Sequence, residues 1–557
     1  MKKLKRVISS IVIGTLFVGI FSGCGFSVKD ESVDVRSKVH FEGIGEVTGL
    51  SKGEIVNEIN SNEENARLII RLDNMYESKA KTLNVSTSIE EAQDIIMEHR
   101  KAAKKYYTQT NAELLEELEL NECDVSFVAD SYAPFLLAEF EREITTDDIE
   151  QVYKWAEADI ITDIYVKSPN NTKPQLSSAI EAIDGTEIIN DGLLDGTGIT
   201  IGILDIGIVD EKSEIFKDVD LKIRNELLFI ETVEDHATQV AACALAIAPN
   251  ASILSAEIFG HPSGEIEWLL DNGVNIINTS FYYDNESEWG TYTSESAYFD
   301  YIAREYWVTF TCAAGNEGGE SNLVTVPNGY NVLTVGASKD GSYRWAESSY
   351  EELYKINFPN FLAPGYQIAI PTFSKLYEGT SFAAPITAGT VALLMQEEPY
   401  LTLFPDRVMA ILMASTQRKT KYAVTSGFND EAGTGILNIS NALESIDNAI
   451  SFDVTEDSVG NYVSSKTIYL KQGQRIRVAF VSLVNNGKSD TSNLVTDYDL
   501  YLFNSSGTSV ESSLTVYNNE FIDYKVTSSG YYTIKIKQYS AKKTTQTDNC
   551  SYAYYIE

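Results

Sequence analysis

The chain has 557 residues, 81 of them acidic and 43 basic, for a formal net charge of −38. So acidic a chain repels phosphate backbones and anionic surfaces, which excludes nucleic-acid binding as a function class. Its 43% hydrophobic content supplies cores for several domains, and only five cysteines over this length exclude a disulfide-held scaffold.

Met1 to Arg6 is a basic head, and Val7 to Phe21 is an apolar run too short to favour a spanning helix. This is the pattern of a secretion signal over residues 1–23. Phe21-Ser22-Gly23-Cys24 resembles a bacterial lipobox, which implies a diacylated Cys24 as the mature N-terminus. Two acyl chains suffice for stable anchoring, so the expected place is the bacterial cell surface, lipid-anchored to the membrane, or the medium after processing.

Residues 24–166 change character. Ile89 to Leu120 has apolar residues at helical spacing among Glu and Lys, which predicts a solvated helix or helical hairpin. Residues 42–120 read as a helical stalk. After them come a strand-like Asp124-Val125-Ser126-Phe127-Val128, an apolar segment from Phe135 to Phe140, a helix capped by Asp147 with Glu150 three residues on, and a closing strand from Ile161 to Val166. The result is an α+β region. Lys167-Ser168-Pro169-Asn170-Asn171-Thr172-Lys173-Pro174 opens a linker and cleavage region over residues 167–182.

Between residues 183 and 450 strand and helix signals alternate. Strands are predicted at Ile199–Leu204, Ala251–Phe259, Val274–Phe281, Trp307–Ala314 and Val332–Ala337, and helices near His236–Ile247, Glu265–Asn272, Ser294–Glu305 and Ser381–Met395. Such alternation implies an α/β fold built on a doubly wound parallel sheet, with its site at the carboxyl ends of the strands.

Three side chains stand out. Ser381 lies directly before an Ala-rich apolar helix, where free N–H groups favour a developing oxyanion. Gly379 allows the tight approach, and Pro385 falls where a missing N–H costs least. The bland reading is an ordinary N-cap. A hydroxyl nucleophile requires a base and a group to orient that base. Of the four histidines, only His236 opens a buried helix, and Asp205 ends an apolar strand.

In that order, Asp205-Ile206-Gly207, His236-Ala237-Thr238 and Gly379-Thr380-Ser381-Phe382-Ala383-Ala384-Pro385 resemble the signature segments of subtilisin-like serine proteases. Thr311-Cys312-Ala313-Ala314-Gly315-Asn316-Glu317-Gly318 is similar to the family's oxyanion-hole segment. The resemblance implies a serine endopeptidase with a Ser381, His236 and Asp205 triad, Asn316 as oxyanion donor and an acyl-enzyme intermediate. It also implies an inhibitory propeptide before the catalytic domain, so that the partners are a peptide or protein substrate, the membrane through Cys24, and the chain's own pro-region. Departures are Ile206 for the usual Ser or Thr, Ala237 for Gly, Gln239 for His, Ile386 for His, and Tyr282 where the substrate-binding segment normally has Gly. They motivate an alternative: a catalytically inactive surface binding module on the same fold.

By the same resemblance Ser280, Phe281, Tyr282, Ala313, Ala314 and Gly315 bind substrate, with a pocket floor near Thr325–Asn328. The segments Ser280–Tyr282, Ala313–Asn316 and Thr325–Asn328 contain no Asp or Glu, so an apolar or aromatic residue is expected on the acyl side of the cleaved bond. The chemistry requires no cofactor.

Residues 451–557 are short aromatic and β-branched runs parted by turns, which predicts a small all-β sandwich resembling those appended to secreted peptidases. Asp497 and Asp499 share a strand face, open to a structural calcium ion or, as the plainer reading, to solvent. Cys243 and Cys312 read as small core residues.

Overall fold

The computed structural model describes residues 39–42, 52, 55–56, 67–72, 89–117, 125–129, 134–140, 144–158, 161–167, 172–174 and 184–557, the last without 186–187, 190–192, 225–232, 259, 284–291, 319–328, 340, 354–355, 371–372, 374, 419–426, 456–457, 485–494 and 541–546. The signal segment with Cys24, most of the linker and the pocket floor at Thr325–Asn328 lie outside the described residues.

Strands β1 (Val39–Glu42), β2 (Arg67–Leu72), β3 (Val125–Ala129), β4 (Phe135–Phe140) and β5 (Ile161–Lys167) form a sheet in the order β1-β5-β2-β4-β3. Helix α1 (Ile89–Glu117) follows β2, and α2 (Thr146–Trp155) precedes β5. This corrects the helical stalk over residues 42–120. Arg67 to Leu72 is a short aliphatic run that buries Ile70 and Leu72, which suits a strand. The cap of α2 also differs: Thr145, not Asp147, accepts from Asp148 N–H, and the Asp148 side chain reaches back to Thr145 N–H. A reciprocal pair satisfies two helix-end donors at once.

Beyond the short β6 (Thr172–Pro174), the core sheet contains β7 (Thr200–Asp205), β8 (Leu221–Ile223), β9 (Ser252–Glu257), β10 (Ile276–Thr279), β12 (Thr309–Ala313), β13 (Leu333–Lys339), β14 (Tyr343–Arg344) and β17 (Phe361–Pro364). Its order is β14-β13-β12-β10-β7-β9-β8, with β17 also on β13. All pairs are parallel except β13 with β14. Strand β11 (Phe281–Tyr283) leaves this sheet, and the hairpins β15 (Glu351–Leu353) with β16 (Ile356–Phe358) and β18 (Ile368–Ala369) with β19 (Leu376–Tyr377) sit outside it.

The helices are α3 (Asp235–Ile247), α4 (Ser263–Asp271), α5 (Ser294–Glu305), α6 (Thr380–Glu397), α7 (Pro405–Ser415) and α8 (Ile439–Ser445). Residues of α3, α6 and α7 share one core with the sheet, while α4 and α5 share a second. This is the doubly wound arrangement expected. Helix α6 is buried at every position from Thr380 to Met395, as its largely apolar, Ala-rich composition favours.

Helix α1 docks on this second core rather than standing in solvent. Its buried stripe runs His99, Arg100, Ala103, Tyr107, Thr110 and Asn111. Arg100 donates to the carbonyls of Tyr306 (2.9 Å) and Val274 (3.3 Å), Lys104 pairs with Glu267 at 2.8 Å and Asp271 at 2.5 Å, and the hydroxyls of Tyr107 and Tyr301 meet at 2.7 Å. Among the described residues, no helix is long and apolar enough to cross a membrane.

Strands β20 (Ala449–Val454), β21 (Tyr462–Leu470), β22 (Arg475–Ser482), β23 (Asp497–Asn504), β24 (Ser509–Ser513), β25 (Asn519–Lys525), β26 (Gly530–Ser540) and β27 (Asp548–Ile556) form two four-stranded sheets, β20-β27-β22-β25 and β21-β26-β23-β24, around a shared apolar core. The first strand begins at Ala449, two residues before the expected boundary. Asp499 is buried and accepts from Tyr501 OH at 2.8 Å, so it does not face solvent as the plainer reading had it. Among the described residues no cluster of three or more His, Cys, Asp or Glu is placed to hold a metal ion.

The sheets are fused to the α/β part, because Ala479, Val481, Phe521 and Ala553 belong to the same core as α3, α6 and α7. At that junction buried Arg418 lies 3.6 Å from buried Asp523, which also takes a hydrogen bond from Arg475. Burial lowers Arg418 to about 10, with Asp523 opposing the fall. Removing one partner strands a buried charge, so Asp523→Ala is expected to destabilise the chain by about 3 kcal/mol or more, whereas Arg418→Met with Asp523→Leu recovers much of that loss. Denaturant midpoints of the three proteins check this.

His99 gives a pH prediction. Burial against Tyr306 and Trp307 lowers it from 6.5 to about 4, with the Glu305 backbone opposing and Arg100 adding to the shift. A depressed folded-state value means the neutral ring's contribution is intact above pH 6.5 and is lost as pH falls through about 4, on the order of 3 kcal/mol. Protection factors of the α1 amides, which are corrected for the intrinsic pH dependence of exchange, should therefore fall on acidification, and His99→Phe should remove most of that pH dependence.

Candidate active site

Asp205 is the last residue of β7 and is fully buried. Its Oδ1 accepts from Ile206 N–H at 2.8 Å and meets His236 Nδ1 at 2.8 Å. A carboxylate on Nδ1 fixes that nitrogen as the protonated one and leaves Nε2 as the basic one. His236 is the second residue of α3, and Thr238 ties this helix to the chain after β7: its Oγ1 accepts from Asp210 N–H at 2.8 Å and donates to Glu234 O at 3.2 Å. Asp205 Oδ2 is buried without a hydrogen-bond partner, at the residue pair where Ile206 stands in place of a hydroxyl side chain.

Ser381 is the second residue of α6. The next residue, Phe382, packs edge-on against the His236 ring at 6.0 Å between centroids, so the first turns of α3 and α6 lie against each other. The hydroxyl donates to Ser280 O at 3.2 Å. Pro385 has no N–H to give to the carbonyl four residues back, which is that of Ser381. Ser280 Oγ fills the vacancy, donating to Ser381 O at 2.9 Å, and itself accepts from Asn278 Nδ2 at 2.9 Å. Thr311 Oγ1 donates to Asn278 Oδ1 at 3.1 Å. The carboxyl ends of β10 and β12 are thus linked to the first turn of α6 through buried polar groups.

Asn316 follows β12. Its Oδ1 accepts from Thr380 N–H and Thr380 Oγ1, both at 2.9 Å, which leaves Nδ2 as the donor of this amide. Thr380 Oγ1 also accepts from Gly315 N–H at 3.1 Å. Gly379 adopts φ 153°, which favours glycine, and a Cβ there would lie 3.2 Å from Asn316 Nδ2. An orienting acid, a base, a hydroxyl at a helix N-terminus and an amide donor can carry nucleophilic acyl transfer.

Of the expected substrate-binding residues, Ser280, Phe281, Tyr282, Ala313, Ala314 and Gly315 line the ends of β10 and β12, all of them buried. The expected strand Val274–Phe281 divides: Ile276–Thr279 pair with β7 and β12, while Phe281–Tyr283 pair antiparallel with Thr172–Pro174 of β6. Sequence reasoning missed the roles of Thr380, Thr311 and Asn278. Their signal was present only as hydroxyl or amide residues at strand ends and beside the candidate serine.

The model of the subtilase family, Peptidase S8, matches residues 196–435. Alkaline elastase YaB of Bacillus sp. (strain YaB) is 30% identical over 229 residues, covering 37% of this chain and 56% of its own length. This chain thus spans about half of that relative. Subtilisin DY of Bacillus licheniformis is 26% identical over 281 residues, covering 45% of this chain and 92% of its own. Among solved structures, fervidolysin from Fervidobacterium pennivorans, a keratinolytic enzyme related to subtilisin, aligns at 16% identity and a TM-score of 0.48 over 89% of this chain and 72% of that one.

Thr380→Val keeps the shape of the helix turn but removes the hydroxyl shared by Asn316 and Gly315. Turnover of a peptide amide substrate should fall by about 10- to 100-fold with KM little changed, since a misplaced oxyanion donor is felt mainly in the transition state. An unchanged kcat would contradict the role given to Thr380.

Proposed function

We propose that this chain is a subtilisin-like serine endopeptidase made as a surface-anchored precursor. The observation that carries the reading is the buried 2.8 Å contact of His236 Nδ1 with Asp205, on a helix whose histidine packs against the residue after Ser381. Ser381 Oγ leaves Ser280 O and attacks the peptide carbonyl carbon, and its proton passes to His236 Nε2. Asp205 holds the imidazolium that forms. Asn316 Nδ2 and the Ser381 N–H bind the oxyanion. Collapse expels the amine with the proton from His236, and water then releases the acyl group by the same steps. These side chains complete the chemistry without a cofactor. The subtilase match over residues 196–435, which contains all four residues, supports this reading over an inactive binding module.

The same reading makes the region before the catalytic part an inhibitor. Register Tyr283 with Thr172, Tyr282 with Lys173 and Phe281 with Pro174 advances the pro-region chain toward Ser280, whose carbonyl holds the Ser381 hydroxyl. An extended substrate would use the same edge, so β6 competes with it. Cleavage is proposed within the linker, residues 167–182, by Ser381 itself, leaving lipidated Cys24 on the pro-region.

Wild type and Ser381→Ala, expressed with their own signal, separate the outcomes. Wild type should react with a fluorophosphonate probe and yield a C-terminal fragment of roughly 380 residues, and the mutant should do neither and remain intact in the membrane fraction. Absence of Ser381-dependent labelling in the wild type and its fragment would favour the binding module. The same fragment from both proteins would assign the cut to another protease.

A further inference from the structure

Strands β10 and β12 are hydrogen-bonded neighbours from Ile276 with Thr309 to Thr279 with Cys312. Past that point they part company. Phe281 to Tyr283 take β6 as partner, and Ala313 keeps only Val335 of β13. Two neighbouring parallel strands that lose their pairing at the carboxyl end leave a crevice between them, floored by the last pair and walled by the two departing segments. One wall is Ser280 to Tyr282 and the other Ala313 to Glu317. Both touch the nucleophile's turn, the first through Ser280 on Ser381 and the second through Asn316 on Thr380.

The mouth of this crevice is crossed by one side chain. Tyr282 OH donates to Glu317 Oε1 at 3.2 Å, with Tyr282 9% exposed and Glu317 exposed. The phenol ring therefore lies where a wide side chain would have to enter, and a carboxylate stands at its far end. The expectation of an apolar acyl-side residue rested on the lack of acidic residues in three segments. Glu317, one residue past the second, supplies the acid.

We propose that Tyr282 and Glu317 form a specificity bar: the crevice admits a slender acyl-side side chain that ends in a cation, and it turns away aromatic ones. A Lys or Arg stem fits along the Tyr282 ring, and its head adds to the acceptor sites that Glu317 retains beside the phenol. An aromatic ring would have to displace Tyr282 and break its bond to Glu317. The assignment rests on the endopeptidase reading.

The test uses the full chain after maturation and two peptide substrates that differ only in Lys or Phe on the acyl side, with kcat/KM normalised to the fluorophosphonate titre. Wild type should favour Lys by about tenfold or more, the scale on which one pocket contact discriminates. Glu317→Gln keeps an acceptor for Tyr282 but removes the charge, so the preference should collapse toward parity. Tyr282→Gly should raise hydrolysis after Phe by about tenfold. Should that variant fail to fold, Tyr282→Phe keeps the ring and removes only the hydroxyl that bonds Glu317, so Phe should stay excluded and Lys preferred. A labelled wild type that favours Phe, or a ratio unmoved by Glu317→Gln, overturns the bar alone. A wild type that is never labelled overturns the endopeptidase reading and the bar with it.

Discussion

A helix that begins inside a protein must find partners for its first N–H groups and for any carbonyl that a proline leaves unmatched. Helix α6 meets both demands at the carboxyl edge of the sheet. Asn316 Oδ1 takes Thr380 N–H, and Ser280 Oγ takes the Ser381 carbonyl that Pro385 abandons. Each partner comes from the end of a different strand. The groups that make the buried helix start tolerable are therefore those that surround its serine, and structural satisfaction and proposed chemistry draw on neighbouring atoms of the same few residues.

This sharing explains why the site is rigid enough to be useful. Thr380 holds the Asn316 amide in one orientation, and Thr311, Asn278 and Ser280 pass a chain of hydrogen bonds to the Ser381 backbone. Buried polar networks of this kind are costly when incomplete, so they resist rearrangement. Asp205 is the exception. Its second oxygen has no hydrogen-bond partner, which ties the departure at Ile206 to a concrete loss beside the carboxylate.

The sequence was most legible where burial dictates composition. Apolar runs such as Thr200–Asp205 and the Ala-rich, largely apolar α6 announced themselves as buried elements, and the ends of those elements pointed to Asp205, His236, Asn316 and Ser381. Segments whose structure depends on a distant partner were harder. Nothing within Arg67–Leu72 states that it pairs with β4 and β5, nor within α1 that Arg100 will find two carbonyls more than 170 residues away. Asp499 looked like a solvated face because strand periodicity puts Tyr501 beside it without showing that this face is covered. Short-range pattern encodes burial, while long-range pairing is settled by which surfaces fit.

The residues before the catalytic part meet it in two places of different character. Helix α1 contributes buried side chains, two carbonyl hydrogen bonds from a guanidinium and paired lysine contacts, all remote in sequence from the proposed cut. Strand β6 contributes three residues of backbone pairing next to Ser280. On the proposed reading these divide the work. A short edge strand shared with substrate can be displaced at modest cost once its chain is severed. The buried stripe of α1 is untouched by that cut, so nothing in its contacts weakens when the linker is cleaved. Severing the backbone and releasing the pro-region are then separate events, and the lipid on Cys24 would remain coupled to the catalytic part for as long as α1 stays docked.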